Sequence, residues 1–161
     1  MKKDTQNIIN KNFDGAATSY NKSATIQKVI ASKLAKICFK HSIPNGIWAD
    51  LGSGTGLLAE SLEKLHANQN VLRVDNSSKM IEQQQTDMCL VWDLNSGLPS
   101  FSERPRLLAS NFVLHWLTNP SIRLKEWLSA LAPGGWLALA VPVKGSFSEW
   151  HEACLKAEVQ C

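Results

Sequence analysis

The chain has 161 residues, 44% of them hydrophobic and 19% charged, with a formal net charge of +3. That length favours one domain around one core. No apolar run approaches the roughly 20 residues of a membrane span, and the opening "MKKDTQNIIN" is basic but carries no apolar h-region, so no secretory signal is expected. The four cysteines (Cys38, Cys89, Cys154, Cys161) form no C-x-x-C pair and show no metal spacing. They read as reduced thiols in a cytoplasmic protein, with no metal site expected.

Charge is uneven along the chain. The first forty residues hold eight lysines against Asp4 and Asp14, about +6, and the remainder sums to about −3. Lysines on the wet face of an amphipathic helix account for such a segment. So does a surface that steers an acidic partner.

In chain order, residues 5–13 and 23–40 read as helices joined by "DGAATSYN". Ile26, Ile30, Leu34 and Ile37 mark an apolar stripe on the second of them. "IWADLG" (47–52) is a short apolar strand ending in glycine, and "TGLLAESLEKL" (55–65) has helical periodicity. "NVLRVD" (70–75) is a second strand. Residues 77–85 then open with a serine N-cap and continue as a helix. "MCLVWDL" (88–94) and "RLLASNF" (106–112) are the third and fourth strands. Residues 119–131 form a helix with Leu124, Leu128 and Leu131 on one face, ended by Pro133-Gly134-Gly135. "WLALAVP" (136–142) is the fifth strand, and a last helix covers 146–159.

Strands alternating with helices imply right-handed crossovers and a parallel sheet covered on both faces. The expected fold class is α/β, a three-layer, doubly wound, mostly parallel sheet. Residues 1–45 form an N-terminal helical cap and lid segment, residues 46–161 the ligand-binding core, and the two make a single compact unit. Ligands of such sheets sit at the carboxyl ends of the strands, where strand order switches.

The glycine turn after the first strand falls at that place. In "WADLGSGTGLLAE", Gly52, Gly54 and Gly56 occupy every second position. Glycine adopts the dihedral angles of a sharp strand-to-helix turn at no steric cost, and its missing side chain lets a ligand touch backbone. The helix beyond offers free N–H groups and a partial positive charge. A dinucleotide fingerprint fails because Leu57 stands where the third glycine belongs, and no Gly-Lys-Ser/Thr follows for a phosphate loop. What remains is D-x-G-x-G-x-G, beginning at Asp50. Asp75 ends the second strand, placed to accept from both hydroxyls of a ribose. Asp93 ends the third, placed to accept from an exocyclic adenine amine.

"ADLGSGTG", "VDNSSKM", "WDLNSGLP" and "LAPGG" resemble the successive motifs of the class I S-adenosylmethionine-dependent methyltransferases. The resemblance implies S-adenosylmethionine as cofactor and S-adenosylhomocysteine as product. It implies that Asp50 with Gly52, Ser53, Gly54 and Gly56 borders the amino-acid part of the cofactor. Asp75 and Asn76 would serve the ribose, Asp93 and Leu94 the adenine edge, and Asn111 the methionine end. Further stretches, "FDGAATSYNKSATIQKVIASKLA" (13–35), "SNFVLHWLTNP" (110–120) and "VPVKGSFSEWHEA" (141–153), are similar to the methyltransferases of biotin synthesis (BioC type). Those enzymes methylate the free carboxyl of malonyl-acyl carrier protein. Phe13, Ala17 and Tyr20 and the His115-Trp116 pair are the narrower signals, shared in part with methyltransferases of other small acids such as the trans-aconitate type. Tyr20, as a lid residue, His115 and Trp116 are thereby implied in substrate positioning, and each has a plain packing reading beside that one. Lys144 is the candidate cation for an acceptor carboxylate.

The resembling family continues past its fifth strand with substrate-pocket helices and two more strands. The expected fold is therefore truncated after the fifth strand, with that strand's edge exposed and available for a dimer. Two function classes stay open: a carboxyl O-methyltransferase acting on a small or carrier-bound acid, with an acidic acyl carrier protein as partner, and a cofactor-binding domain without independent activity. Nucleic acid is a poor substrate reading, because the lysines cluster on one segment without interleaved aromatics, and no membrane partner is expected.

Overall fold

The computed structural model describes residues 3–157. Five strands, β1 (Trp48–Leu51), β2 (Val71–Asp75), β3 (Cys89–Val91), β4 (Leu107–Asn111) and β5 (Trp136–Ala140), form one sheet in the order β3-β2-β1-β4-β5. Every pairing is parallel. Strand order reverses between β1 and β4, whose register pairs Trp48 with Leu107 and Asp50 with Ala109. The α/β, doubly wound expectation therefore holds. β5 pairs with β4 on one side, and no strand pairs with its other side among the described residues.

Seven helices surround the sheet among those residues: α1 (Lys3–Ala16), α2 (Tyr20–Ser23), α3 (Thr25–Phe39), α4 (Leu57–Leu65), α5 (Ser78–Ile81), α6 (Pro120–Ala130) and α7 (Ser148–Lys156). Alternate residues of β1, β2, β4 and β5 feed two cores. Trp48, Val71, Leu107 and Ala109 face α3 and α4. Ala49, Leu51, Val74 and Leu108 face α6, whose Trp127 is fully buried among them. A parallel sheet covered on both faces needs such near-continuous apolar strands.

Several elements differ from the sequence expectation. The buried face of α3 is Ala31, Leu34, Ala35 and Cys38, while Ile26 and Ile37 are about half exposed. Two alanines set against Ala59 of α4 let the helices approach closely, so small residues took the interface from the larger isoleucines. Leu124 and Trp127 of α6, three residues apart, and Leu131 just past its end face the core, and Leu128 is exposed instead. The segment 14–21, expected as a connection, extends α1 to Ala16 and begins α2 at Tyr20. The helix expected over 77–85 ends at Ile81, and residues 82–85 turn back toward the sheet. Cys38 and Cys89 are free thiols, but Cys154 is disulfide-bonded, against the expectation of reduced thiols throughout. The last helix is described to Lys156, and the expected remainder through residue 159 extends beyond the described residues. No helix among the described residues is long and apolar enough to cross a membrane.

Candidate functional site

A cavity of about 430 Å³ opens at the carboxyl ends of the strands, and all five contribute to its wall. Gly52 and Gly54 follow β1, Asp75 and Asn76 end β2, and Trp92, Asp93 and Leu94 follow β3. Asn111, Phe112 and Val113 close β4, and Pro142 follows β5. Phe13, Tyr20, Ile26 and Gln27 reach over it from the N-terminal helices.

The glycine turn is held by backbone bonds. The N–H groups of Gly52 and Ser53 both donate to the carbonyl of Val74, at 2.7 and 3.0 Å, tying the turn to β2. All three glycines have positive φ: 74° at Gly52, 55° at Gly54 and 91° at Gly56. They are glycine for different reasons. A Cβ on Gly52 would lie 2.3 Å from Val113. A Cβ on Gly56 would lie 2.8 Å from Gln84 Oε1. A Cβ on Gly54 would meet no protein atom within 4 Å, and Gly54 lines the cavity. Its missing side chain leaves room for something other than this chain.

Asp75 is the hub of the site. Its Oδ2 accepts from Gly54 N–H at 2.8 Å and its Oδ1 from Ser77 N–H at 2.9 Å. With Asn76 as a third backbone donor, the roughly four lone-pair sites of the carboxylate are not all taken. Burial raises its carboxyl above the usual range, and backbone bonds from Ser77, Gly54 and Asn76 oppose that rise. Asp93 is exposed on the cavity rim and caps a 3-10 turn over Leu94–Ser96, accepting from Asn95 N–H at 2.9 Å. The same turn buries Leu94 in the cavity wall. Asn111 donates through Nδ2 to the Gln27 carbonyl at 3.0 Å, while its buried Oδ1 has no partner.

Three residues singled out in the sequence lie beneath the cavity. Asp50 is buried between β1 and α4, with Oδ2 accepting from Ala59 N–H at 3.1 Å and Oδ1 unpartnered. It therefore does not border a ligand directly. Its burial drives the carboxyl from 3.8 up to about 7. Ser53 turns its hydroxyl away to accept from Gln84 at 3.2 Å, and Gly56 starts α4. Neither is in the cavity wall.

Tyr20, His115 and Trp116 all line the cavity. His115 and Trp116 belong to a 3-10 turn (Leu114–Trp116) after β4, with ring centroids 4.8 Å apart. Phe13 bridges the two groups, edge-on to Trp116 at 6.1 Å and tilted against Tyr20 at 6.4 Å. Burial, and then the Asp75 charge, raise the Tyr20 phenol, so it stays a donor. Burial lowers His115 below its ordinary value, which favours the neutral ring at pH 7. Lys144 is exposed and outside the cavity wall, where no lysine or arginine appears among the described residues.

Sequence reasoning missed Trp92, Phe112 and Phe147 in the wall. Phe112 and Phe147 carry φ of 59° and 61°, strained for non-glycine residues, and their rings lie 6.3 Å apart. No sequence pattern announces that conformation. Trp92 is fixed by an Nε1–H bond to the Gly97 carbonyl at 2.8 Å.

A parallel sheet of this order, with a glycine turn after β1 and an acid ending β2, defines a nucleotide-type site. A family model described as a methyltransferase domain matches residues 49–139, and the chain belongs to that family. It is 30% identical over 149 residues to a malonyl-[acyl-carrier protein] O-methyltransferase of Alcanivorax borkumensis, covering 88% of this chain and 50% of that protein. It is 30% identical over 163 residues to the malonyl-[acyl-carrier protein] O-methyltransferase of Bacillus cereus, with coverages of 94% and 58%. The chain thus spans about half the length of the curated relatives it matches. The fold is similar to that of DhpI in its complex with SAM and HEP, with a TM-score of 0.66 at 17% identity, covering 89% of this chain and 68% of that one.

Methyltransferases of this class take the methyl group from S-adenosylmethionine, and the residues present fit that donor. Gly54 leaves ligand space, Asp75 retains acceptor capacity at the end of β2, and Asn111 holds a buried acceptor with no partner.

Proposed function

We propose that this chain is an S-adenosylmethionine-dependent methyltransferase acting on a free carboxylate, most specifically that of a malonyl group on acyl carrier protein, as in biotin synthesis. The observation that carries the reading is one continuous cavity. The glycine turn and Asp75 lie at one part of its wall, and Tyr20, His115 and Trp116 at another. Similarity to two malonyl-[acyl-carrier protein] O-methyltransferases supports the choice of acceptor.

In this reading Asp75 accepts from the ribose hydroxyls, Asn76 flanks it, Asp93 and Leu94 hold the adenine edge, and Asn111 Oδ1 accepts from the amino-acid end. Gly52 and Gly54 supply backbone contact, and Asp50, Ser53 and Gly56 support the turn from below. Bound there, S-adenosylmethionine supplies a methyl carbon already activated by its sulfonium. The chain's own task is to align and to exclude water. A carboxylate is ionised at pH 7, with a pKa near ~4, so no general base is needed. Orientation alone supplies up to ~7–11 kcal/mol of a barrier. The Tyr20 hydroxyl, a His115 ring N–H and the Trp116 indole N–H are neutral donors able to orient an acceptor oxygen. Neutral donors hold a carboxylate while leaving it more nucleophilic than a buried ion pair would. Phe13, Phe112 and Phe147 exclude water. Lys28, Lys33 and Lys36, all exposed on α3, provide a basic surface for an acidic carrier protein.

The test is transfer of an isotopic methyl group from S-adenosylmethionine to malonyl-acyl carrier protein, run beside calorimetric titration of the cofactor into the wild type and Asp75→Ala. Transfer, with cofactor affinity reduced about a hundredfold in the variant, supports the reading; two charge-assisted bonds at ~1.5 kcal/mol each give that factor. Transfer only to another small acid shifts the acceptor. Cofactor binding without transfer to any acid identifies a binding domain without independent activity. Absence of binding overturns the cofactor assignment.

A further inference from the structure

The early end of α5 at Ile81 has a consequence for the glycine turn. Residues 82–85 fold back, and Gln84 reaches across the turn. Its Nε2 donates to the Gly54 carbonyl at 2.8 Å and to Ser53 Oγ at 3.2 Å. Gly54 is thus held at both of its polar backbone groups, its N–H by Asp75 and its carbonyl by Gln84.

The other end of the Gln84 amide points to a partly buried ion pair. Arg73 on β2, only 5% exposed, donates through Nη2 to Glu63 on α4 at 2.7 Å. Glu63 also accepts from Val71 N–H at 3.0 Å, joining α4 to β2. Arg73 Nε and Gln84 Oε1 are both buried without a partner. Both border the space where Gly56 lacks a Cβ, at 3.3 and 2.8 Å. An unpaired donor and an unpaired acceptor at one spot are electrostatically complementary. The amide orientation is also determined by chemistry: only an N–H can face the Gly54 carbonyl, so the oxygen faces the arginine.

We propose that Gln84 is a positioning residue for the methyl donor. It clamps the Gly54 peptide and sets its amide oxygen beside the Arg73–Glu63 pair, so that the turn is already in its binding shape before ligand arrives. Gln84 itself is outside the cavity wall, and it acts through Gly54. This rests on the cofactor reading above.

The prediction separates the two halves of the amide. Gln84→Met keeps length and loses both. Gln84→Glu keeps an acceptor for Arg73 but sets a carboxylate against the Gly54 carbonyl. Both variants should bind S-adenosylmethionine and S-adenosylhomocysteine about tenfold more weakly by calorimetry, the size expected for losing about one net hydrogen bond's worth of preorganisation. Gln84→Glu should be at least as impaired as Gln84→Met, since it adds repulsion. In ligand-free protein, amide exchange should accelerate at residues 52–56 and stay unchanged at Leu108 and Ala109 in the central sheet. Acceleration throughout would mean general destabilisation and overturn the proposal. So would variants that match wild type in affinity while Asp75→Ala loses it. If Asp75→Ala binds as wild type does, the cofactor reading itself fails.

Discussion

Asp50→Asn should change the pH dependence of folding rather than remove the fold. The wild-type carboxyl is 1% exposed, with one backbone donor, Ala59 N–H, and a second oxygen that has none. Burial raises it from 3.8 to about 7; the Ala59 bond and Arg73 oppose this, and Asp75 and Glu63 add to it. Between those two values the native state keeps a proton that the unfolded chain has released. Unfolding there releases a proton, so stability falls as pH rises. The contribution is fully present below about pH 4 and lost once pH passes about 7. At ~1.4 kcal/mol per pH unit, the whole span corresponds to about 4 kcal/mol, and the part between pH 5 and 8 to about 3. An asparagine is neutral throughout, and its oxygen can still accept from Ala59 N–H. Urea unfolding followed by the fluorescence of Trp48 and Trp127, both buried, gives the stability of each protein at pH 5 and pH 8. The difference between wild type and variant should shift by about 3 kcal/mol in favour of the variant at the higher pH. Taking that difference removes other titrating groups, Asp75 included. Parallel profiles would refute the argument, showing that Asp50 is ionised in the native state at pH 5 despite its burial.

Gly54→Ala should weaken S-adenosylmethionine at least tenfold by calorimetry. It should cost only the ~1–2 kcal/mol of a left-handed alanine in stability, because its Cβ enters open cavity rather than protein. Gly52→Ala, by contrast, drives a Cβ to 2.3 Å from Val113 and should lower the melting temperature sharply. Neutralising Lys28, Lys33 and Lys36 together should weaken capture of an acidic carrier protein and flatten its salt dependence, with turnover of a small malonyl thioester unchanged; exposed charges act over about 10 Å at 0.1 M salt. Equal loss on both substrates would count against a docking role. The β5 edge, apolar and uncharged from Trp136 to Ala140, should give concentration-dependent association in sedimentation. A monomer at high micromolar concentration, with β5 amides exchanging only by global unfolding, would show that the edge is covered.

Periodicity and punctuation were enough to read the βα alternation, the parallel sheet and the position of the glycine turn from the chain alone. Those are local signals: apolar runs of strand length, glycines at fixed offsets and an acid at each of two strand ends. The resemblance to methyltransferases rests on the same short strings, so it too was legible there. Helix phase was not. Leu128 and Trp127 are neighbours in sequence, and only the packing against Leu51 and Leu108 buries one and exposes the other. The roles within D-x-G-x-G-x-G were also indistinguishable in one dimension. Asp50, Gly52, Gly54 and Gly56 look equivalent as letters, yet Gly54 alone faces free space, and Asp50 lies under the turn with its charge suppressed by burial. The Gln84 clamp links residues thirty positions apart through a turn that local helix propensity would not have formed. Burial, close approach and long-range hydrogen bonding depend on which surfaces meet, and that is settled only when the sheet brings its strand ends together.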